Sequence, residues 1–291
     1  MKTTTIERVK VQGCCGGVRR AIDLAMEAAR THEGQPITVL GDLVHNRHVI
    51  EELAAAGIRT VEAKGRLRAD LLDEIDSGIV IFTAHGVSDR VRQKAAARNL
   101  TVVDASCPFV MKTQKKVREM RQAGYAVFYI GQPAHPEAES ITDGADNVYL
   151  IHKEEDIPEA VHEPVFVTNQ TTMSTLDIQN LFNAIKKKYP AALFDDEICN
   201  ATRVRQQAIL DLKDTDALIV VGDPLSNNTR QLEAIGKKAG IPYACRVESA
   251  TELANVDLPD SGHIAVTSGA STPGWLVDEV IDWLRTKYEA A

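Results

Sequence analysis

The chain has no apolar run approaching the eighteen residues that a membrane-spanning helix needs, and Met1–Thr5 leads into no apolar leader core. A soluble protein of the cytoplasm, with no membrane partner, is the expectation. Close cysteine pairs of the form C-x-x-C are missing, which removes the usual spacing of structural zinc. Neither G-x-x-x-x-G-K-[ST] nor G-x-G-x-x-G occurs, so both ordinary nucleotide fingerprints are excluded. An excess of positive charge is also lacking. The net charge of −8 leaves no general basic surface for phosphate neutralisation and argues against a nucleic-acid partner. No low-complexity tract or long linker divides the 291 residues, so domain boundaries must fall in short connections.

What the chain does have is five cysteines, an odd number that speaks against a disulfide framework and for metal or catalytic use. Cys15, Cys107 and Cys199 are spaced by 92 residues each, and each lies between a strand-like and a helix-like run. The pairs of runs are Val9–Gln12 with Val18–Thr31, Thr101–Asp104 with Met111–Gln122, and Ala192–Asp195 with Val204–Leu212. Further on in each unit a β-rich run ends in glycine, at Gly41, Gly131 and Gly222, and four residues later stand His45, His135 and Ser226. Another run then ends in Thr83, Thr168 or Thr267, followed by His85, by Thr171 with Thr172, and by Ser271 with Thr272. Landmarks that recur in one order three times identify an internal repeat.

Continuous apolar runs flanked by helical segments such as Val49–Ala56, Ser88–Ala97 and Val277–Tyr288 predict parallel strands covered on both faces. The expected class is α/β, with three pseudo-symmetric lobes of mostly parallel sheet: residues 16–107, 108–198 and 199–291, the last completed by the N-terminal strand of 1–15, the run Ile6–Gln12. The chain then closes head to tail as a three-lobed ring. In open parallel sheets ligands bind beyond the carboxyl ends of strands, where the landmarks fall.

Three thiolates in equivalent positions suit three iron corners of a cubane iron–sulfur cluster, leaving a fourth iron without a protein ligand. Zinc held by the same thiolates with His45 or His135 is the competing metal. His45, His85, His135, Thr172, Ser226, Asn228 and Ser271, with helix N-terminal N–H groups, suit a phosphorylated ligand. His135-Pro136-Glu137-Ala138-Glu139 carries an acid–base signal. Pro136 should hold His135 extended, and an extended chain would put His135, Glu137 and Glu139 on one face, with a desolvated carboxyl able to deliver a proton. Basic residues follow the cysteines: Arg19-Arg20, Lys112 with Lys115-Lys116, and Arg203 with Arg205. They read either as solvated helix faces or as a docking patch for an acidic electron carrier.

The segments Gly13-Cys14-Cys15-Gly16-Gly17-Val18, Val44-His45-Asn46-Arg47, Ala84-His85-Gly86-Val87, Asp104-Ala105-Ser106-Cys107-Pro108, His135-Pro136-Glu137, Gln170-Thr171-Thr172, Ile198-Cys199-Asn200-Ala201-Thr202 and Thr267-Ser268-Gly269-Ala270-Ser271 resemble the 4-hydroxy-3-methylbut-2-enyl diphosphate reductase family, in order across nearly the whole chain. The resemblance implies a trefoil of lobes around a central [4Fe–4S] cluster with one iron not ligated by protein. It implies reductive loss of an allylic hydroxyl with two electrons and two protons, giving isopentenyl and dimethylallyl diphosphates, and a ferredoxin- or flavodoxin-type electron donor. Carried over, Cys15, Cys107 and Cys199 hold the cluster, Glu137 supplies the proton and Thr171 fixes the hydroxyl. The diphosphate contacts fall on His45, His85, His135, Thr172, Ser226, Asn227, Asn228 and Ser271. Three positions depart from the family pattern. Cys14 and Gln12 stand where the family usually has Phe and Arg, and Asn227 replaces the second of paired serines.

Overall fold

The computed structural model describes residues 4–63 and 65–289; residues 1–3 of the N-terminal segment and 290–291 of the third lobe lie outside the described residues. The chain opens with β1 (Thr5–Arg8), followed by α1 (Gly16–Thr31), β2 (Ile37–Leu40), α2 (Arg47–Ala55), β3 (Arg59–Val61), the short α3 (Arg68–Leu71), β4 (Ile79–Phe82), α4 (Asp89–Ala97) and β5 (Thr101–Asp104). It continues with α5 (Pro108–Gln122), β6 (Ala126–Ile130), α6 (Pro136–Thr142), β7 (Val148–Ile151), β8 (Val165–Asn169), α7 (Thr175–Lys188) and β9 (Leu193–Phe194). The last stretch is α8 (Asn200–Leu210), β10 (Ala217–Val221), α9 (Asn227–Lys238), β11 (Tyr243–Val247), β12 (His263–Ser268) and α10 (Gly274–Glu289).

These strands form three four-stranded sheets with the same order of equivalents: β3-β2-β4-β5, β7-β6-β8-β9 and β11-β10-β12-β1. Every strand pair is parallel among the described residues. The protein is thus α/β with three parallel-sheet lobes. β1 occupies in its sheet the edge that β5 and β9 occupy in theirs, with Arg8 opposite Val266. By compactness the chain falls into two units. One comprises the described parts of Met1–Gly16, His45–Arg47 and Cys199–Ala291; the other comprises Gly17–Val44 and His48–Ile198 and so contains two of the sheets.

Alternation along each strand accounts for the layers. In the first unit Ala217, Ile219 and Val221 pack with Val277, Val280, Ile281 and Leu284 of α10. Leu218 and Val220, on the other face, pack with Leu232 and Ile235 of α9 and Ile209 of α8. In the second unit, Phe128 and Ile130 face Ile178 and Ile185 of α7, whereas Val127 and Tyr129 face Val117 of α5 and Ala138 and Ile141 of α6. Strands buried on both faces lose the polar alternation of a half-exposed sheet, hence the unbroken apolar runs.

The glycine landmarks are structurally equivalent. Gly41, Gly131 and Gly222 directly follow β2, β6 and β10, and their N–H groups donate to the last carbonyls of the neighbouring strands, Val61, Ile151 and Val247, at 2.9, 3.0 and 2.8 Å. Their reasons for being glycine differ. Gly222 has φ of +149°, and a Cβ there would meet Thr229 Oγ1 at 2.7 Å; Gly131 needs no unusual φ, but its Cβ would press on Tyr129 at 3.0 Å.

Two sequence expectations need correction. Of the run Ile6–Gln12 expected to complete the third sheet, Ile6–Arg8 lies in the first strand, Thr5–Arg8, and Val9–Gln12 does not. Val9 still donates to Val266 O, but the chain then leaves the sheet and Gly13, at φ +75°, donates to the Ser268 side chain. The second concerns 135–139. Only His135 is extended (φ −76°, ψ 137°); α6 starts at Pro136, because a proline at the first helical position loses no hydrogen bond and its φ suits the turn. Glu137 and Glu139 therefore diverge. Glu139 accepts from the Arg68 backbone N–H at 2.7 Å and pairs with its guanidinium at 2.5 Å.

Candidate active site

The second unit builds a carboxyl site at the carboxyl end of its β6–β8 sheet. His135 caps α6, its Nδ1 accepting the Glu137 N–H at 3.1 Å. That bond uses Nδ1 as an acceptor, which makes Nε2 the donor atom of the ring. The His85 ring meets it edge-on, with centroids 5.4 Å apart. Glu137, on the first turn of α6, is 2% exposed. The loop after β8 brings it Thr171, whose backbone N–H donates to Oε1 at 2.7 Å and whose hydroxyl donates to Oε2 at 3.0 Å. Tyr129 Oη, from β6 beneath, donates to Oε1 at 3.4 Å.

Burial pushes the Glu137 carboxyl up to about 7, against the pull of the Thr171 and Tyr129 hydrogen bonds, which favour the charged form. A carboxyl that titrates near neutrality can both hold and release a proton there. Tyr129 is pushed well above the ordinary phenol value by burial and by Glu137, and stays protonated. Gln170 steadies the loop: its Oε1 accepts the Gln132 N–H and its Nε2 donates to the Thr172 hydroxyl, both at 2.9 Å.

The first unit places Ser226, Asn227 and Asn228 at the N-terminus of the twelve-residue α9. Ser226 Oγ accepts the Thr229 N–H at 3.3 Å, which leaves its own proton for a ligand at the buried N-terminus of the helix. Asn228 is more committed than a bare ligand contact. Its Oδ1 accepts the Ala270 N–H at 3.0 Å and its Nδ2 donates to Thr202 Oγ1 at 3.4 Å. Ser271 donates its proton to the His45 carbonyl at 2.9 Å, so it must rotate to donate to an anion.

The cysteines occupy equivalent places. Cys107 and Cys199 are the N-caps of α5 and α8, with no side-chain cap bond, and Cys15 directly precedes α1. None of the five cysteines is disulfide-bonded, and these three are half-buried. A sulfur at the positive end of a helix is favoured as an anionic metal ligand, so the donor set fits a thiolate-bound cluster. Sequence reasoning missed Tyr129 and Thr202. Comparison of the repeats could have found both: Tyr129 stands two residues before its glycine where the other lobes have Val39 and Val220, and Thr202 stands three past its cysteine where the others have Val18 and Val110.

The model of the LytB protein family matches residues 6–285. The 4-hydroxy-3-methylbut-2-enyl diphosphate reductase of Listeria monocytogenes serovar 1/2a is 44% identical over 291 residues, spanning 98% of this chain and 87% of the relative. That of Exiguobacterium sp. is 43% identical over 286 residues, spanning 96% and 90%. Among solved structures, the E-1-hydroxy-2-methyl-but-2-enyl-4-diphosphate reductase of Plasmodium falciparum aligns with a TM-score of 0.89 at 27% identity, over 97% of this chain and 88% of that one. A structure of (E)-4-hydroxy-3-methyl-but-2-enyl diphosphate reductase, described as the terminal enzyme of the non-mevalonate pathway, aligns at 0.67 and 26%, over 98% and 100%. Fold and relatives together define the class, an α/β reductase. The chain belongs to the LytB protein family, whose members use an iron–sulfur cluster.

Proposed function

We propose that this chain reduces (E)-4-hydroxy-3-methylbut-2-enyl diphosphate, replacing the allylic C–O bond by C–H with two electrons and two protons, to give isopentenyl or dimethylallyl diphosphate and water. The observation that carries the reading is the buried Glu137 carboxyl, held by both hydrogen-bonding groups of Thr171 and titrating at about 7. Departure of hydroxide from an allylic carbon needs a proton delivered to that oxygen. When Glu137 carries the proton, Oε2 donates to Thr171 Oγ1, and the Thr171 hydroxyl turns its own proton to the substrate oxygen. His135, through Nε2, and His85, edge-on to it, would bind the diphosphate with Thr172. Ser226 and the α9 N-terminus would add donors, and His45, Asn227, Asn228 and Ser271 complete the set. Binding energy from the diphosphate then orients the distant hydroxyl.

Cys15, Cys107 and Cys199 would hold a [4Fe–4S] cluster with one iron not ligated by protein. When bound, the cluster supplies the electrons and a Lewis-acidic iron for the substrate oxygen. Cys15 rather than Cys14 is the ligand in this reading because α1, α5 and α8 each begin one residue after Cys15, Cys107 and Cys199.

The electron donor in this reading is an acidic ferredoxin- or flavodoxin-type protein of the cytoplasm. Its basic docking residues are fewer than the sequence suggests. Lys112 pairs with Glu197 and Lys115 with Glu119, Lys116 lies over the Phe166 ring, Arg205 is buried, and Arg20 donates to the Ser106 carbonyl, so much of this charge is engaged within the fold. No described helix is long and apolar enough to cross a membrane.

Anaerobic purification with iron and sulfide quantification, followed by reduction of the allylic diphosphate with a chemical reductant, tests the proposal. Four irons and four sulfides per chain, with donor-dependent formation of both isoprenoid diphosphates, are expected from a cubane cluster. A colourless, zinc-loaded protein, or turnover that needs no reductant, would overturn it.

A further inference from the structure

One cysteine corner differs from the other two. Three residues past the cysteine, the first turn of the following helix carries Val18 in α1 and Val110 in α5, but Thr202 in α8. Thr202 is fully buried, with its Oγ1 3.3 Å from Cys199 Sγ. Either atom of that pair could donate. The neighbouring groups and the charge of a ligating sulfur set the direction together.

The Ala270 backbone N–H can only donate, and it donates to Asn228 Oδ1 at 3.0 Å. The Asn228 amide is thereby oriented with Nδ2 towards Thr202, to whose Oγ1 it donates at 3.4 Å. Thr202 Oγ1 keeps a second lone pair, but a cluster-ligating Cys199 is a thiolate with no proton to give, so the single Thr202 proton goes to the sulfur. The relay thus runs one way, from Ala270 N–H to Asn228 to Thr202 to Cys199. Its first member is anchored at the other cysteine of the same unit, because the Ala270 carbonyl accepts the Cys15 N–H at 2.9 Å. Buried Arg205, one turn along α8, donates to the Gly13 carbonyl and holds the helix to that corner.

We propose that Thr202 is a positioning residue that donates its hydroxyl proton to the Cys199 sulfur and so raises the reduction potential of the iron–sulfur cluster at this one of its three cysteine corners. The inference rests on the cluster reading above. A hydrogen bond to a ligating thiolate withdraws negative charge and stabilises the more negative, reduced cluster. The site already tolerates the test, since valine is isosteric with threonine and fills the same position in the other two lobes.

The experiment is an anaerobic redox titration of the cluster-loaded wild type, T202V, T202A and T202S, followed by EPR and absorption. T202V and T202A should favour the oxidised cluster about tenfold more than wild type, a shift of about 59 mV to more negative potential for one electron, while T202S stays at the wild-type value. A wild-type potential in T202V or T202A overturns the proposal, as does a shift in T202S equal to that in T202A. If T202V takes up no cluster, T202A decides. If both lose it and T202S keeps it, the hydroxyl retains the metal rather than setting its potential, and the proposal fails. A wild type with no iron–sulfur cluster would instead sink the functional reading on which it rests.

Discussion

The α6 corner of the second lobe and the α9 corner of the third are one construction filled with different side chains. In each, a residue four past the strand-end glycine caps a helix: His135 through Nδ1 to Glu137 N–H, and Ser226 through Oγ to Thr229 N–H. In each, the residue two past that cap accepts the backbone N–H of the residue three past the strand-end threonine. Glu137 accepts from Thr171 at 2.7 Å, and Asn228 from Ala270 at 3.0 Å. The slot is shared; its occupant differs. A carboxyl fills the slot beside a threonine in one lobe, where the proposed chemistry needs a proton donor; an amide fills it beside an alanine in the other, where it joins a helix end to Thr202.

Making the second lobe resemble the third is the largest test of this comparison. Glu137→Gln keeps an acceptor for the Thr171 N–H but has no acid proton, so turnover should fall by about 10²–10⁴-fold, the usual worth of a general acid, while substrate affinity changes little. Steady-state reduction and equilibrium binding of the diphosphate check the two halves. Normal turnover in that variant would mean that the slot does not supply the proton. The converse exchange, Asn228→Asp, puts a carboxylate beside the proposed diphosphate donors; affinity should fall about tenfold or more by like-charge repulsion, with the greatest loss at low salt.

The same carboxyl makes the comparison visible in stability. Glu137 has its folded-state value raised from 4.5 to about 7, so the folded chain binds more protons than the unfolded one between those limits. By linkage, the stability this group provides is full below pH 4.5 and is lost progressively as pH rises to about 7, a swing of about 3 kcal/mol. Glutamine does not titrate. Denaturation of wild type and E137Q at pH 4 and pH 8 should therefore show the variant gaining on wild type as pH rises, and a pH-independent difference would refute the buried, proton-holding state. Activity that needs the protonated carboxyl should decline through the same region. Thr171→Val, which keeps the backbone donor and removes the hydroxyl, should cut the proposed proton path and lower turnover sharply, and the residual activity should decline at higher pH because the charged form of Glu137 loses a partner.

Much of this frame is legible in the amino-acid sequence. The cysteine, glycine and threonine landmarks mark equivalent strand ends because a parallel sheet puts its ligands and its close turns at one edge. The equal spacing of 92 residues is less informative. Cys107 lies three residues past β5, Cys199 five past β9 and Cys15 seven past β1, so equal counts arise from compensating differences elsewhere. Sequence also misplaces Glu139 beside Glu137, since a pre-proline rule constrains His135 alone and says nothing against a helix starting at Pro136. Nor can it reveal that Arg68, 71 residues earlier, claims Glu139. Partners brought together by tertiary folding leave no local pattern to read.

The smallest expected effect concerns Tyr129, whose counterparts in the other lobes are Val39 and Val220. Its hydroxyl is the third donor to Glu137, but at 3.4 Å it is the longest, and it shares Oε1 with the much closer Thr171 N–H. A long neutral hydrogen bond contributes about 0.5–1.5 kcal/mol at most, and Tyr129→Phe leaves no polar group stranded, because Glu137 keeps both Thr171 donors. Stability should therefore change by less than about 1 kcal/mol. Turnover should fall no more than about threefold, with the alkaline limb of the pH profile moved slightly upward. A loss as large as that of Glu137→Gln would show that the tyrosine is part of the proton path. The comparison of lobes would then extend one layer deeper, from the loop that holds the carboxyl to the strand beneath it.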